Sequence, residues 1–262
     1  MATKPTQSNS PRVSIIMPAF NREKFIAESI ESALAQSYED FELIVIDDGS
    51  KDQTVEVAKK YLSDPRVHLI QNEKNMGIAT TRNRAIRVAR GEYIAMLDSD
   101  DIWIDKDKLR KQVDFLDSHS DHAMVGSAIT HIDVSGKKLK TVTFPTADAE
   151  IRNSILRRNP FAQSTLLCRT EAFLQTGSYS TRFMICDDFD LWLRIGKRWK
   201  FANSTDAMTG YRIHGNNITH TKRLTAAREV LEIVRSYANS YPHPTLGLIK
   251  AYARLVYSYA RT

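Results

Sequence analysis

The sequence predicts an α/β fold, a mostly parallel sheet flanked by helices, followed by a C-terminal helical extension. Three observations predict it. Short apolar runs alternate with helical stretches through the first hundred residues, the pattern of βαβ units. The runs stop at turn-forming groups, Pro18, Asp47-Asp48-Gly49-Ser50 and Asp98-Ser99-Asp100-Asp101. Beyond Lys222 the chain reads as two helices broken at Pro242-His-Pro244.

Val13 to Met17 is the first strand, ended by Pro18. Lys24 to Gln36 carries Ile26, Ile30, Ala33 and Leu34 at helical spacing. Phe41 to Ile46 and Val67 to Gln71 are further strands, with a helix over Thr54 to Leu62 between them. Ile78 to Ala89 is a helix set between Gly77 and Gly91, and Glu92 to Leu97 is the fourth strand. The second half is less regular. Lys106 to Ser118 is helical, and Met124 to Asp133 and Lys138 to Phe144 flank a hairpin turn at Ser135-Gly136. Ala149 to Arg157 is a short helix, Ser164 to Cys168 a strand, Asp187 to Lys197 a helix and Thr209 to Ile213 a strand. Leu224 to Tyr241 and Leu246 to Tyr259 are the closing helices.

With 262 residues, 42% hydrophobic and 26% charged, the chain has enough length for a sizeable core. Residues 1–12 are polar, rich in Ser, Thr and Pro, and lack the apolar centre of a signal peptide, so they read as a disordered leader. Two cysteines, Cys168 and Cys186, without a Cys-x-x-Cys pair argue against a disulfide framework or structural zinc and fit a reducing compartment. No stretch approaches the ~20 apolar residues of a membrane span. Much of the formal charge of +6 lies in 222–262, where seven Lys or Arg face two Glu. A basic tail of this kind suits peripheral contact of 222–262 with an anionic membrane surface, and packing of the same helices against the rest of the fold is the plain alternative. Nucleic acid is not expected as a partner: Tyr237, Tyr241, Tyr252, Tyr257 and Tyr259 are explained more simply by helix packing, and no recognisable module accompanies them.

Ligands of open parallel sheets bind beyond the carboxyl ends of strands. Pro18-Ala19-Phe20-Asn21, Asp47-Asp48-Gly49-Ser50 and Asp98-Ser99-Asp100-Asp101 all fall there. If the fourth strand runs into Asp98, residues i and i+2 share a face, and the Asp98 and Asp100 carboxylates emerge together. Two such charges repel, and Mg²⁺ or Mn²⁺ would relieve them while leaving positions for phosphate; a polar strand-to-loop junction is the plain alternative. Asp47 and Asp48 point to opposite sides, so one of them reaches a ligand, or the segment only caps the next helix. Arg82 shares the apolar stripe of Ile78, Ala85, Ile86 and Ala89, whereas Arg84, Arg87 and Arg90 fall outside it. An inward guanidinium needs an anion, either a ligand phosphate or one of Asp47, Asp48 and Asp98. In Asp187-Asp188-Phe189-Asp190-Leu191-Trp192 the wheel sets Asp188 amid the apolar face, Asp187 at its edge and Asp190 off it. Burial there would raise the Asp188 pKa, as a general base requires.

Taken together, Val13-Ser-Ile-Ile-Met-Pro-Ala-Phe-Asn21, Ile46-Asp-Asp-Gly-Ser50, Asn75-Met-Gly-Ile-Ala-Thr-Thr-Arg-Asn83, Gly91-Glu-Tyr-Ile-Ala-Met-Leu-Asp-Ser-Asp-Asp101, Asp187-Asp-Phe-Asp-Leu-Trp-Leu-Arg194 and Tyr211-Arg-Ile-His214 resemble family 2 glycosyltransferases, inverting enzymes of GT-A (Rossmann-like) fold. The resemblance covers residues 13 to about 218. It implies a catalytic domain over 13–220, with a nucleotide-binding half at 13–101 and an acceptor-binding half at 102–220, and an extension at 221–262. It implies that Pro18, Ala19, Asn21 and Asp48 hold the base and ribose of a UDP-sugar, that Arg82, Asp98 and Ser99 line the nucleotide site, and that Asp100 and His214 serve a Mn²⁺ or Mg²⁺. Asp188 falls at the second acid of the family's Glu-Asp pair, the catalytic base, and Asp187 stands where Glu is usual, which leaves open which acid acts. The acceptor implied is a glycan or lipid-linked glycan, and the implied location is cytoplasmic, with contact at the inner membrane face. A nucleotidyltransferase would favour a Gly-rich phosphate loop after the first strand, which Pro18-Ala-Phe-Asn lacks. A non-catalytic sugar-nucleotide or glycan-binding domain remains the rival of a different class.

Overall fold

The computed structural model describes residues 10–215 and 221–260. Most of the expected leader, residues 1–9, lies outside them. In chain order the elements are β1 (Val13–Ala19), α1 (Ile26–Leu34), β2 (Phe41–Asp47), α2 (Thr54–Lys59), β3 (Val67–Gln71), α3 (Ile78–Val88), β4 (Tyr93–Met96), β5 (Ile102–Trp103), α4 (Lys108–Ser118), β6 (His122–Ile132) and β7 (Lys138–Val142). There follow α5 (Asp148–Ile155), a 3-10 turn (Gln163–Thr165), β8 (Leu167–Arg169), α6 (Thr170–Thr176), α7 (Asp187–Ile195), β9 (Lys200–Arg212), α8 (Arg223–Ser236) and α9 (Pro244–Tyr259).

One sheet runs β3-β2-β1-β4-β8-β6-β9-β5, with β7 paired to β6. Its first four strands are parallel. Beyond β4 it becomes mixed: β8 is antiparallel to both β4 and β6, and β6 and β9 run parallel. The chain winds outward from β1 to β3 and returns to the other side of β1 as β4, so the strand order reverses between β1 and β4, where open α/β sheets leave a crevice.

Period-2 alternation divides the core. Val13, Ile15 and Met17 of β1 join α1 residues Ile26 and Ile30 and α4 residues Leu109, Val113 and Leu116 on one face. Ile16 joins Ala85 and Ile86 of α3, Trp192 of α7 and Leu231 and Val234 of α8 on the other. Each of the Val, Leu, Ile and Met side chains among these contributes roughly 1.5–3 kcal/mol by leaving water, which is why α8 is held against the sheet. Pro18 does not end β1 but lies within it, paired with Ile46. It sits past the last β1–β4 pair, Ile16 with Met96, so the missing N–H breaks no ladder on that side. β5 and α6 are short elements that periodicity did not reveal, and β9 begins nine residues before the expected Thr209.

Glu229 of α8 ties the C-terminal helices to the start of α7. Its carboxylate accepts the backbone N–H groups of Met184 at 2.8 Å, Ile185 at 3.0 Å and Cys186 at 2.9 Å. A buried N–H left without a partner costs about 1–3 kcal/mol. Glu229→Ala should therefore lower unfolding stability by about that amount per buried amide exposed, measured as a lower urea midpoint. An unchanged midpoint would mean that water replaces the carboxylate at no cost.

Candidate active site

The loops at the carboxyl ends of β1 and β2 are sewn together. Asn21, with φ at 52°, donates its N–H to Ser50 Oγ at 2.9 Å and accepts the Lys51 N–H at 2.8 Å; asparagine tolerates this left-handed conformation. Pro18 and Ala19 are buried within β1, and Phe20 and Asn21 open to solvent. Asp48 is buried, and its oxygens accept Met76 N–H at 2.8 Å, Gly77 N–H at 3.0 Å and Asn72 Nδ2 at 2.8 Å. This fastens the loop before α3 to the β2 terminus. Asp47 turns the other way, to the N–H groups of Gly49 and Ser50, and its Oδ1 is buried without a partner among the described residues.

Arg82 faces inward as its helical position requires and is 6% exposed, while Arg84, Arg87 and Arg90 are exposed. Its partners are carboxylates of the protein. Nη2 donates to Asp98 Oδ1 at 2.9 Å, and Nη1 donates to Asp187 Oδ2 at 3.2 Å. The guanidinium also lies over the Tyr179 ring, 5.3 Å from its centre. Arg82 thus joins the end of β4 to the start of α7, and the two acids hold its pKa above the usual guanidinium value despite burial.

The expected side-by-side emergence of Asp98 and Asp100 is not what the backbone gives. β4 stops at Met96, and Asp98 to Asp101 form a turn closed by the Asp101 N–H on Asp98 O at 3.0 Å. The carboxylates diverge to separate cations. Asp98 goes to Arg82, and Asp100 Oδ2 lies 3.0 Å from both Arg22 Nε and His214 Nε2. Burial pushes the Asp100 carboxyl up, but His214 and Arg22 outweigh it and hold it below its ordinary value. Ser99 is buried in the turn. Asp101 is buried too, accepting Ser164 Oγ at 2.5 Å and the Arg212 N–H at 2.9 Å, and burial raises its pKa well above the usual range.

Among the described residues no three His, Cys, Asp or Glu side chains are grouped to hold a metal ion by themselves. Asp100 and His214 nevertheless fit as half a site. A carboxylate and an imidazole suit Mn²⁺ and tolerate Mg²⁺ when ligand oxygens complete the shell.

The wheel at α7 is reversed. Asp187 is 1% exposed and engaged by Arg82, whereas Asp188 is half-buried. Asp190, expected off the apolar face, is also buried, between Arg194 Nε at 2.9 Å and Tyr237 Oη at 2.8 Å. The wheel assumed one buried face, but α7 is covered on several sides, by α6, α8 and the sheet. Asp188 Oδ1 accepts the Phe189 N–H at 2.6 Å and Oδ2 accepts Asn159 Nδ2 at 3.3 Å. Burial lifts the pKa of both acids above the ordinary carboxylate value, with Arg82 pulling the other way. Asp188 also lines a cavity of about 400 Å³ between the end of α5, the start of α7 and helices α8 and α9.

Several residues that fasten the site were not singled out from the sequence. Arg212 is fully buried: Nη2 donates to Glu28 Oε2 at 2.6 Å and Nε to Asp100 O at 2.8 Å. Arg212 stands inside the Tyr211-Arg-Ile-His214 string and Arg22 lies one residue past the string that ends at Asn21; their partners lie on other elements.

The family model of Glycosyl transferase family 2 matches residues 14–187. The UDP-Glc:alpha-D-GlcNAc-diphosphoundecaprenol beta-1,3-glucosyltransferase WfaP of Escherichia coli is 32% identical over 213 residues, 80% of this chain and 80% of its own length. Among solved structures, S. aureus TarS 1-349 in complex with UDP-GlcNAc superposes with a TM-score of 0.73 at 23% identity, covering 93% of this chain and 72% of that one. The mannosyltransferase PcManGT from Pyrobaculum calidifontis, in complex with GDP-Man and Mn²⁺, gives 0.71 at 19% identity, covering 99% and 78%. The sheet and its flanking helices are thus those of the GT-A glycosyltransferases, and the chain belongs to glycosyltransferase family 2.

Proposed function

We propose that this glycosyltransferase moves a sugar from a UDP-sugar to a hydroxyl of a glycan or lipid-linked glycan with inversion, and that Asp188 is the general base. One observation carries the reading: Asp188 stands between the Arg82–Asp98–Asp187 cluster at the sheet crevice and the cavity under α8 and α9. A donor on the first side and an acceptor on the second would meet at this carboxylate. Asp187, buried and committed to Arg82, serves as a positioning residue.

Asp188 takes the proton of the acceptor hydroxyl, whose oxygen forms a bond to the anomeric carbon as the bond to the diphosphate breaks on the opposite face. The raised Asp188 pKa brings the base nearer the operating pH and strengthens it. Arg82 spends both terminal nitrogens on Asp98 and Asp187, so its part is to fix those acids relative to one another. Asn159 holds one Asp188 oxygen and leaves the cavity side open. Asp100 and His214 would hold a divalent cation, which when bound neutralises charge on the diphosphate as a Lewis acid.

The donor named for WfaP and the nucleotide bound in TarS support UDP, and the Mn²⁺ in PcManGT supports a metal. Thermal shift of the full chain tests both. UDP with Mn²⁺ should raise the melting temperature more than UDP alone, because a ligand that binds only the native state stabilises it by mass action. Asp100→Asn should remove the Mn²⁺ increment and leave most of the UDP increment. A wild-type chain indifferent to Mn²⁺ at saturating UDP would overturn the metal assignment, and indifference to UDP would overturn the donor.

A further inference from the structure

Arg22 occupies the carboxylate that a metal at Asp100 and His214 needs. Its Nε donates to Asp100 Oδ2 at 3.0 Å, and the same oxygen lies 3.0 Å from His214 Nε2. The imidazole is held in place by stacking on Phe25, with ring centres 5.2 Å apart. A guanidinium and a divalent cation are rivals for this oxygen, because two positive groups so close together repel. An ion can therefore settle on Asp100 only as Arg22 withdraws.

The backbone of Arg22 is fixed. Its N–H donates to Thr54 Oγ1 at 2.6 Å, and its carbonyl accepts the N–H groups of Phe25 at 2.9 Å and Ile26 at 3.0 Å. Withdrawal thus falls to the side chain, which is 24% exposed. Its Nη1 donates to the carbonyls of Phe20 at 3.2 Å and Asn21 at 3.1 Å, and Nη2 makes no hydrogen bond among the described residues. The guanidinium therefore joins the acidic turn to the loop after β1, with one nitrogen open. Displaced from Asp100, it needs another anion. A nucleoside diphosphate bound to the ion brings one, and an arginine fork suits phosphoryl oxygens.

We propose, on the reading that Asp100 binds the divalent cation, that Arg22 is exchanged between two anions. The guanidinium holds Asp100 until the ion takes that carboxylate, and it then pairs with a phosphoryl oxygen of the donor diphosphate. Arg22 is thereby a donor-binding residue that the metal sets in place. Without nucleotide the ion must displace Arg22 with nothing to receive it, so it binds weakly. With UDP present the displaced guanidinium is answered, and ion and nucleotide favour one another reciprocally.

The test uses the full-length chain. Mn²⁺ binding without nucleotide is followed by the electron paramagnetic resonance of the free ion, and UDP and uridine affinities by calorimetry at saturating Mn²⁺. Arg22→Met keeps the stem and removes the charge. It should tighten Mn²⁺ alone by at least roughly tenfold and weaken UDP by a similar factor, the size of one charge-assisted hydrogen bond lost on each side of the exchange. Uridine has no phosphate and should bind the variant as it binds the wild type. Arg22→Lys keeps the charge and should hold Mn²⁺ closer to the wild-type affinity than Arg22→Met does. Opposite signs for ion and nucleotide set the exchange apart from a loosened loop, which would weaken both. An Arg22→Met chain that binds Mn²⁺ no more tightly, or UDP no more weakly, would overturn the exchange, as would a fall in uridine affinity equal to that of UDP or a lysine indistinguishable from methionine. Mn²⁺ binding as tight in Asp100→Asn as in the wild type would instead place the ion elsewhere, and the metal assignment would fall together with the exchange.

Discussion

Asp188→Asn should lower turnover of the UDP-sugar by about 10²–10⁴-fold, the usual share of a general base, while UDP affinity stays nearly constant. The amide has the shape of the carboxylate and can still accept the Phe189 N–H at its oxygen. It cannot take up the acceptor proton. In the wild type the base works in its ionised form, so the rate falls as pH drops through the Asp188 pKa. Because that pKa is raised by burial, the acid limb should lie above the ~3.9 of an ordinary aspartate. In Asp188→Asn the same limb should vanish from the residual rate. Turnover within a few-fold of wild type, or an unchanged acid limb, would remove Asp188 from the role. The same measurement on Asp187→Asn separates the pair: loss of the Arg82 ion pair should lower stability and activity together, whereas Asp188→Asn should lower activity with little change in stability.

The second large effect belongs to Arg82. Arg82→Met keeps the length and the apolar stem and removes the charge. It leaves Asp187 buried beside Asp188 with no cation, and breaking one side of a buried ion pair costs about 3–5 kcal/mol. The urea midpoint should fall accordingly, and UDP binding should weaken as Asp98 loses its anchor. Adding Asp187→Asn to Arg82→Met should recover part of the stability, since the uncompensated charge goes with it. A double variant as unstable as the single one would place the cost in packing against Tyr179 rather than in charge.

The parallel half of the fold was legible because its signal is local. Each strand from β1 to β4 is a compact apolar run, and each helix between them carries its own stripe; boundaries moved by a few residues. Arg82 could be placed inward because the one-sided burial assumed by a wheel holds for α3. The same wheel misplaced the acids of α7, a helix buried on more than one side, where angle no longer encodes exposure. The Asp98–Asp100 geometry was misread for a different reason: β4 ends at Met96, two residues short of Asp98, and the alternation of a strand does not continue through a turn. Partners distant in sequence were beyond any local pattern. Glu229 under Cys186 and Arg212 on Glu28 are side chains whose roles exist only once α8 and β9 have docked.

The turn from Asp98 to Asp101 is held by residues more than a hundred positions further along: Asp100 by His214, and Asp101 by the Arg212 amide. Splitting the chain after residue 101 would therefore leave the acidic turn without two of the groups that hold it. A chimera exchanging only that segment between homologues would graft the acidic turn onto a foreign β9, and a recombination that keeps the turn's geometry must carry Arg212 and His214 across with it.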